Sequence, residues 1–343
     1  MYDDAGTPND SGAERRDGIA RLLRAAGRRD GPPPGSYDRT FAVARAAWIA
    51  SLARRRRRWQ RFAVAAACAV LATVAVSIWR LQQPEVVANL DRAIGAVHTR
   101  AAGQQHWLAL TPAGTSLRAG SALRTDATAR IAVRLPDGTS VRLDHATQVE
   151  FRSARALRLV AGRVYVDTGA HGRADAATPA GLTITTAAGT VRNIGTQFEV
   201  QFSTGTWRVR VRAGRVIAHR AGGETVGGSA GDELLFRGSG ALERTRIDAR
   251  HPDWAWIESV AVIPPTDGQP ISVVIDWVAR ETGRAIRFAS PSLAQRTPQA
   301  VLHGNIPDLA PLDALRLALA SLDLEYTVAG DGALVIRPRE PAL

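Results

Sequence analysis

Residues 131–143, IAVRLPDGTSVRL, decide how most of the chain folds. Ile131–Leu135 and Thr139–Leu143 are short runs of alternating or β-branched residues, the texture of a strand. Between them Pro136-Asp137-Gly138 supplies the turn chemistry of a hairpin, because glycine reaches positive φ and aspartate bonds its own backbone. The same texture continues downstream in 157–169 (LRLVAGRVYVDTG), 182–202 (LTITTAAGTVRNIGTQFEVQF) and 207–220 (WRVRVRAGRVIAHR). Each run holds a glycine flanked by strand-like residues: Gly162, Gly189 and Gly214. The spacing predicts strand–turn–strand units stacked into a mainly β domain over 94–247, a sandwich or solenoid.

C-terminal to it, in 254–338, the pattern becomes mixed. Ile271, Val274, Ile275 and Val278 recur at helical spacing and stop at Glu281-Thr282-Gly283. Strands are expected at 285–288 and 301–304, a second helix at 311–322, and a hairpin of 324–328 with 333–336. The order helix–strand–strand–helix–strand–strand describes a small α+β domain.

N-terminal to the β region, residues 54–83 read RRRRRWQRFAVAAACAVLATVAVSIWRLQQ. Phe62–Trp79 contains no charge, and continued to Leu81 it reaches the roughly 20 residues that span a bilayer core. Trp59 and Trp79 fall near its ends, where indole rings favour the interface. Residues 1–61 carry 14 arginines against 7 acids, while the rest of the chain carries 30 against 25. By the positive-inside rule this predicts a single transmembrane helix over 62–81, residues 1–61 cytoplasmic, 82–93 a linker, and the remainder outside. A cleaved signal peptide sits poorly with a run that follows 61 residues.

Within 1–61 two short helices are expected around the break Gly31-Pro32-Pro33-Pro34-Gly35. Ile19, Leu22, Leu23 and Ala26 stripe the first, and Phe41, Ala44, Trp48 and Leu52 the second. Two such helices bury little core, so Leu22, Leu23, Phe41, Trp48 and Leu52 are candidate partner-binding residues, unless the stripes pack on one another. The arginine block beside the apolar run reads as a topogenic anchor on anionic lipid, with no direct nucleic-acid role. The chain contains no lysine, a usage that GC-rich coding alone produces.

The chemistry is sparse. Cys68 is the single cysteine, which excludes a disulfide framework and a cysteine zinc site. The seven histidines show no metal-ligand spacing, and no cofactor or metal is expected. Residues 227–231, GGSAG, match the form of a nucleophile elbow around Ser229, but β texture on both sides lacks the strand-to-helix corner that motif needs. Gly195-Thr196 is a candidate for self-cleavage, since a threonine hydroxyl can attack the preceding carbonyl and glycine permits the strained backbone that helps it. The plainer reading is a bulge with Phe198 and Val200 buried beyond it.

The blocks 135–151 (LPDGTSVRLDHATQVEF), 157–169, 184–200 and 208–216 resemble the β domain of the FecR family of transmembrane regulators. Residues 276–289 (DWVARETGRAIRFA) with 302–328 resemble a short secretin/TonB N-terminal (STN-like) domain. The resemblance implies a non-enzymatic anti-sigma factor or sigma regulator of the bacterial inner membrane, its C-terminus periplasmic. Its implied partners are an extracytoplasmic-function sigma factor and the N-terminal domain of an outer-membrane TonB-dependent transporter. Iron-linked signalling is the family theme, and envelope proteases are further partners if the signal crosses by proteolysis. Some relatives cleave themselves at such a Gly-Thr pair. A different class stays open: a membrane-anchored envelope module whose β domain binds polysaccharide or protein.

Overall fold

The computed structural model describes residues 11–27, 31, 33, 35–81, 85–111, 115–169, 181–238 and 240–339; within its helices the side chains of 11–16, 36, 51–65 and 75–81 fall outside that description. The chain divides into two compact units, Met1–Gln82 and Gln83–Leu343.

The first unit is two helices, α1 (Ser11–Ala25) and α2 (Ser36–Leu81). Gly27, at φ 68°, follows the end of α1, the left-handed conformation that closes many helices. From Ser36 to Leu81 there is neither glycine nor proline, so nothing interrupts the 46-residue α2, and the expected second helix and the apolar run are one element. Among the described residues no helix is long and apolar enough to cross a membrane. Of the expected span 62–81, only residues 66–74 have described side chains, all exposed, and the rest lies outside the description. Thr73 donates its hydroxyl to the carbonyls of Ala69 (3.0 Å) and Val70 (2.8 Å), so this polar group is satisfied inside the helix.

The second unit begins with fifteen strands: β1 (Val86–Ile94), β2 (Val97–Arg100), β3 (Leu108–Ala109), β4 (Ser116–Arg118), β5 (Ala122–Thr125), β6 (Arg130–Arg134), β7 (Ser140–Leu143), β8 (Gln148–Ser153), β9 (Ala156–Asp167), β10 (Thr183–Thr186), β11 (Gly189–Ser203), β12 (Thr206–Arg220), β13 (Thr225–Ser229), β14 (Asp232–Arg237) and β15 (Glu243–Arg246). The β6–β7 hairpin forms as expected. Gly138 sits at φ 85° and the Thr139 amide donates to Asp137 Oδ1 at 2.9 Å. Residues 86–94, expected mostly as linker, instead form β1, which pairs with both β4 and β6. The β region therefore starts at Val86.

The expected strand–turn–strand units at Gly162 and Gly214 do not exist. Each glycine lies inside one long strand, β9 or β12, and a third, Gly195, lies inside β11. All three have positive φ (98°, 78° and 61°) and bend their strands from one layer into another. The halves before Gly162 and Gly195, and after Gly214, belong to a layer ordered β3-β2-β5-β8-β9-β10-β11-β12-β13. The other halves belong to β4-β1-β6-β7-β9-β11-β12-β14-β15. Only glycine fits the corner. A Cβ on Gly162 would stand 2.3 Å from Thr147 Oγ1, and one on Gly214 would stand 2.3 Å from the Gly195 carbonyl oxygen. Gly189, by contrast, does mark the β10–β11 hairpin.

Inward side chains of both layers form one core, including Val149, Leu157, Ile184 and Val191 from the first and Val141, Val164, Phe198, Val200 and Val209 from the second. Burying each such side chain contributes on the order of 1.5–3 kcal/mol.

The C-terminal part follows: a 3-10 turn at Pro252–Trp254, then α3 (Ala255–Glu258), α4 (Ser272–Thr282), β16 (Ile286–Phe288), α5 (Pro291–Arg296), α6 (Pro311–Ala320), β17 (Leu324–Val328) and β18 (Leu334–Pro338). A three-stranded sheet, β16-β18-β17, shares a core with α4 and α6 built from Val274, Val278, Leu315, Leu319, Leu334 and Ile336. Proline at the start of α5 and of α6 and left-handed Gly283 (φ 65°) after α4 set their ends. The strand expected at 301–304 is a single bridge, Pro270 to Val301. Side chains claim the backbone there instead: Asp267 Oδ1 accepts from the Gly304 amide (2.7 Å) and Thr266 Oγ1 donates to the Gly304 carbonyl (3.0 Å). The observed order is helix–strand–helix–helix–strand–strand, with α5 not foreseen.

Candidate functional site

Two sites stand out in the second unit, and they are neighbours on β11. The first is the corner itself. Gly195 and Thr196 have no ladder partner on β12, because the register slips between Ile194 and Gln197. Thr196 is 2% exposed, yet its Oγ1 has no hydrogen-bond partner. A buried hydroxyl without a partner is costly and asks for an explanation. Its backbone is held from the far side by Thr168. The Thr196 amide donates to Thr168 Oγ1 (3.0 Å), while the Thr168 amide (3.2 Å) and hydroxyl (3.3 Å) donate to the Thr196 carbonyl. Gly214 presses on the Gly195 carbonyl from β12, with no room for a side chain. The two residues singled out from sequence are thus a positive-φ bulge, and Phe198 and Val200 are buried beyond it.

The second site is a charged seam where the C-terminal part covers the outer face of the β7-β9-β11-β12 layer. Period-2 alternation puts Val141, Val164, Val166, Phe198, Val200, Val209 and Val211 inward, and so turns Arg142, Tyr165, Asp167, Gln197, Glu199, Arg210 and Arg212 outward. Arg142 donates Nη1 to Glu281 Oε2 and Nη2 to Glu281 Oε1, both at 2.6 Å, with both side chains 4% exposed. Its Nη1 also reaches the Ile257 carbonyl at 3.0 Å. Burial alone would lower the Arg142 pKa, but the Glu281 carboxylate outweighs it and holds the pKa above its ordinary value.

Arg280 grips Asp167, with Nε 2.8 Å from Oδ2, and Gln197 Nε2 donates to the same oxygen at 2.8 Å. Burial raises the Asp167 pKa, yet these bonds prevail and leave it lowered. Gln197 Nε2 also donates to the Arg280 carbonyl at 3.3 Å, so the residue after Thr196 touches α4 directly. Arg212 donates to the carbonyls of Ala249 (2.9 Å) and Glu281 (2.8 Å) and lies over the Trp254 ring.

Tyr165 meets Trp254 and Trp256 edge-on at 6.2 and 6.5 Å, and with Ile247 and Ile257 they make a small apolar cluster inside the seam. Beside it Glu199, 1% exposed, accepts from the Trp256 indole at 3.0 Å. Burial pushes the Glu199 carboxyl up to about 7 despite Arg163 and Arg210 nearby.

None of these seam residues was singled out from the sequence. Their one signal was charge at alternate positions of otherwise apolar strands, as in 197–202 (QFEVQF).

The other candidates are scattered. Leu22 (72%), Leu23 (69%), Phe41 (58%) and Trp48 (66%) are exposed, so the two helical stripes do not cover one another; the side chain of Leu52 lies outside the described residues. Ser229 is exposed at the end of β13 and its amide donates to Asp232 Oδ2 at 2.9 Å. Strand β14 follows it, so no strand-to-helix elbow forms there.

Comparison with known proteins assigns the centre of this unit. Residues 121–217 match the family described as FecR protein. Among solved structures, two crystal structures of a candidate anti-sigma factor from Parabacteroides distasonis are 19% and 18% identical. Each aligns over 64% of this chain and 99% of its own, at a TM-score of 0.35, too low to fix a common fold. No match was found among curated proteins.

Proposed function

We propose that this chain, a FecR-family protein by its central domain, is a membrane-anchored sigma-factor regulator. Residues 1–61 hold an extracytoplasmic-function sigma factor in the cytoplasm, 62–81 cross the inner membrane once, and the second unit receives a signal in the periplasm. The transmitter suited to that unit is the N-terminal domain of a TonB-dependent transporter, with 254–338 as the STN-like receiving part. The observation that carries this reading is the FecR match over 121–217, joined by helices that expose Leu22, Leu23 and Phe41 in a separate unit. Leu22, Leu23, Phe41 and Trp48 suit the groove of a helical partner. Affinity purification of the tagged full chain from its native cytoplasm and membrane recovers a sigma factor. Phe41→Glu with Trp48→Glu reduces that recovery, whereas recovery of no sigma factor by the wild-type chain overturns the reading.

The orphaned Thr196 hydroxyl favours a maturation step at the corner. Thr196 Oγ1 attacks the Gly195 carbonyl carbon, an ester bond forms, the amide C–N bond breaks, and the hydroxyl proton passes to the nitrogen. Water then hydrolyses the ester, leaving a Gly195 carboxylate and a free Thr196 amine. Intact-mass measurement finds fragments meeting at 195/196 in the wild type and none in Thr196→Ala. A wild-type chain that stays whole in resting and induced cells sinks this step.

A further inference from the structure

The seam occupies one outer face of the β sandwich; the opposite outer face is uncovered among the described residues and carries a different charge pattern. Outward positions follow from register. Arg100 pairs across to Ala122, Glu150 and then Arg158; Arg124 pairs with Gln148; Thr183 pairs with Arg192; and Ile194 pairs with Arg215. Arg152 is two residues beyond Glu150 on β8, hence on the same face. Arg124, Arg152, Arg158, Arg192 and Arg215 are exposed, and Arg100 is half-buried. The guanidiniums of Arg100 and Arg124 both lie over the Trp107 ring, 5.0 and 4.8 Å from its centroid.

The distribution is not that of a generally basic surface. Residues 83–343 contain 29 arginines and 25 acids, an excess of four. Among the described residues this face holds six arginines and one carboxylate, Glu150, an excess of five. Everything else in the unit is therefore slightly acidic. Glu150 serves three of the six, at 3.4 Å from Arg100, 2.6 Å from Arg152 and 3.5 Å from Arg158. Arg124, Arg192 and Arg215 have no acidic partner within 4.0 Å among the described residues.

The six form a diagonal stripe. From β2 through β5, β8, β9, β10 and β11 to β12 there are six strand spacings, so the stripe is roughly 30 Å long. Between and beside the arginines the same face presents mostly hydrogen-bonding groups, Thr183, Thr185, Thr190, His219 and Thr225, with half-buried Ile217 and exposed Ile194 toward its β12 end. A narrow cationic track on a mostly polar face, with a single exposed isoleucine near one end, suits an extended chain bearing regular anionic groups better than the plane of a bilayer, which calls for a broader apolar insertion.

We propose that this face binds a linear acidic polysaccharide, one carrying carboxylates along an extended chain, through Arg124, Arg152, Arg158, Arg192 and Arg215. Guanidinium forks match carboxylates bidentately, and threonine and histidine side chains serve the sugar hydroxyls. Glu150 tempers the track by competing for Arg100, Arg152 and Arg158.

The test uses the full chain in a neutral detergent, with polygalacturonate as probe and fully methyl-esterified pectin and phosphatidylglycerol vesicles as comparisons. Wild-type protein binds polygalacturonate in a salt-sensitive manner and ignores the neutral ester. Arg152→Gln with Arg158→Gln and Arg192→Gln weakens binding about tenfold or more, whereas Glu150→Gln strengthens it about threefold. These residues are exposed or half-buried, so unchanged thermal midpoints certify folding. The Arg54–Arg58 block is present in every variant; if it were the binder, the triple variant would match wild type and the proposal would fall. Binding of the neutral ester as tightly as the acid, weaker binding by Glu150→Gln, or binding of the vesicles in place of the polymer overturns it equally.

Discussion

Replacing Glu281 with glutamine keeps the shape of the seam and removes one charge. The Arg142 guanidinium would remain 4% exposed, above the Tyr165 ring, with no carboxylate in reach of its two Nη atoms. Breaking a buried pair from one side costs about 3–5 kcal/mol, because the surviving charge is neither solvated nor neutralised. The remaining bonds of Arg142, to the Ile257 carbonyl and Ser140 Oγ, and the amide oxygen of the new glutamine soften that, so about 3 kcal/mol is expected. At 1.4 kcal/mol per tenfold, the seam opens on the order of a hundredfold more often. Hydrogen exchange at the amides of α3 and α4 reads this directly, and urea unfolding followed by tryptophan fluorescence gives the total. The paired change Arg142→Met with Glu281→Leu removes both charges together and restores stability to within about 1 kcal/mol of wild type. If Glu281→Gln costs less than about 1 kcal/mol, or the double variant is worse than the single, the seam is not held by this pair.

Three further outcomes follow from the same geometry. Glu199 titrates near 7 in the folded chain against about 4.5 ordinarily, so the native state binds the extra proton between those values and stability falls as pH rises from about 4.5 to about 7. That loss is on the order of 3 kcal/mol and flattens in Glu199→Gln, as read from urea midpoints across pH 4.5–8. Gly162→Ala forces a Cβ to 2.3 Å from Thr147 Oγ1 at φ 98°, and costs about 2–4 kcal/mol in thermal or urea unfolding; tolerance of alanine there would remove the corner's steric rationale. Asp137→Ala leaves the amide of buried Thr139 without its acceptor at the end of the turn and costs about 1–2 kcal/mol, with no change in hydrogen exchange at α3 or α4.

The β6–β7 hairpin was legible because Asp-Gly and the strand texture on both sides specify the same thing. The corners were not, and the reason is local degeneracy. VAGRV at 160–164 and RAGRV at 212–216 carry the glycine signature of a turn, and positive φ at Gly162 and Gly214 serves either a reversal or a bend. Which of the two occurs depends on whether the flanking halves find different neighbours. Here β9 pairs with β8 and β10 before Gly162 and with β7 and β11 after it, a fact held by residues far away in sequence. Gly195-Thr196 could be singled out because its residue types carry chemistry, whereas the burial of Thr196 beside Thr168 and Gly214 is purely tertiary. The seam was invisible for another reason. Alternation announces that Arg142, Asp167 and Glu199 point away from the core, and it cannot say whether water or another part of the chain waits there.

The two outer faces show how one alternating pattern is resolved in opposite ways. On the covered face Arg142 meets Glu281, Asp167 meets Arg280 and Arg210 meets Glu233 and Asp253, while Arg212 ends on the carbonyls of Ala249 and Glu281. On the open face six arginines share a single carboxylate. Arginine-only composition serves both. Arg142 uses its planar fork to bond both oxygens of Glu281 while a nitrogen of the same group reaches the Ile257 carbonyl, a geometry that a point-like ammonium does not reproduce. The forks on the open face have the same donors and, at Arg124, Arg192 and Arg215, no internal carboxylate to receive them. Between the two faces runs the column of Gly162, Gly195 and Gly214, so β9, β11 and β12 each carry a covered charge on one side of a corner and an open one on the other. Gln197, which touches both Asp167 and the Arg280 carbonyl, is the residue next to Thr196, and it ties the state of the seam to the backbone of the corner.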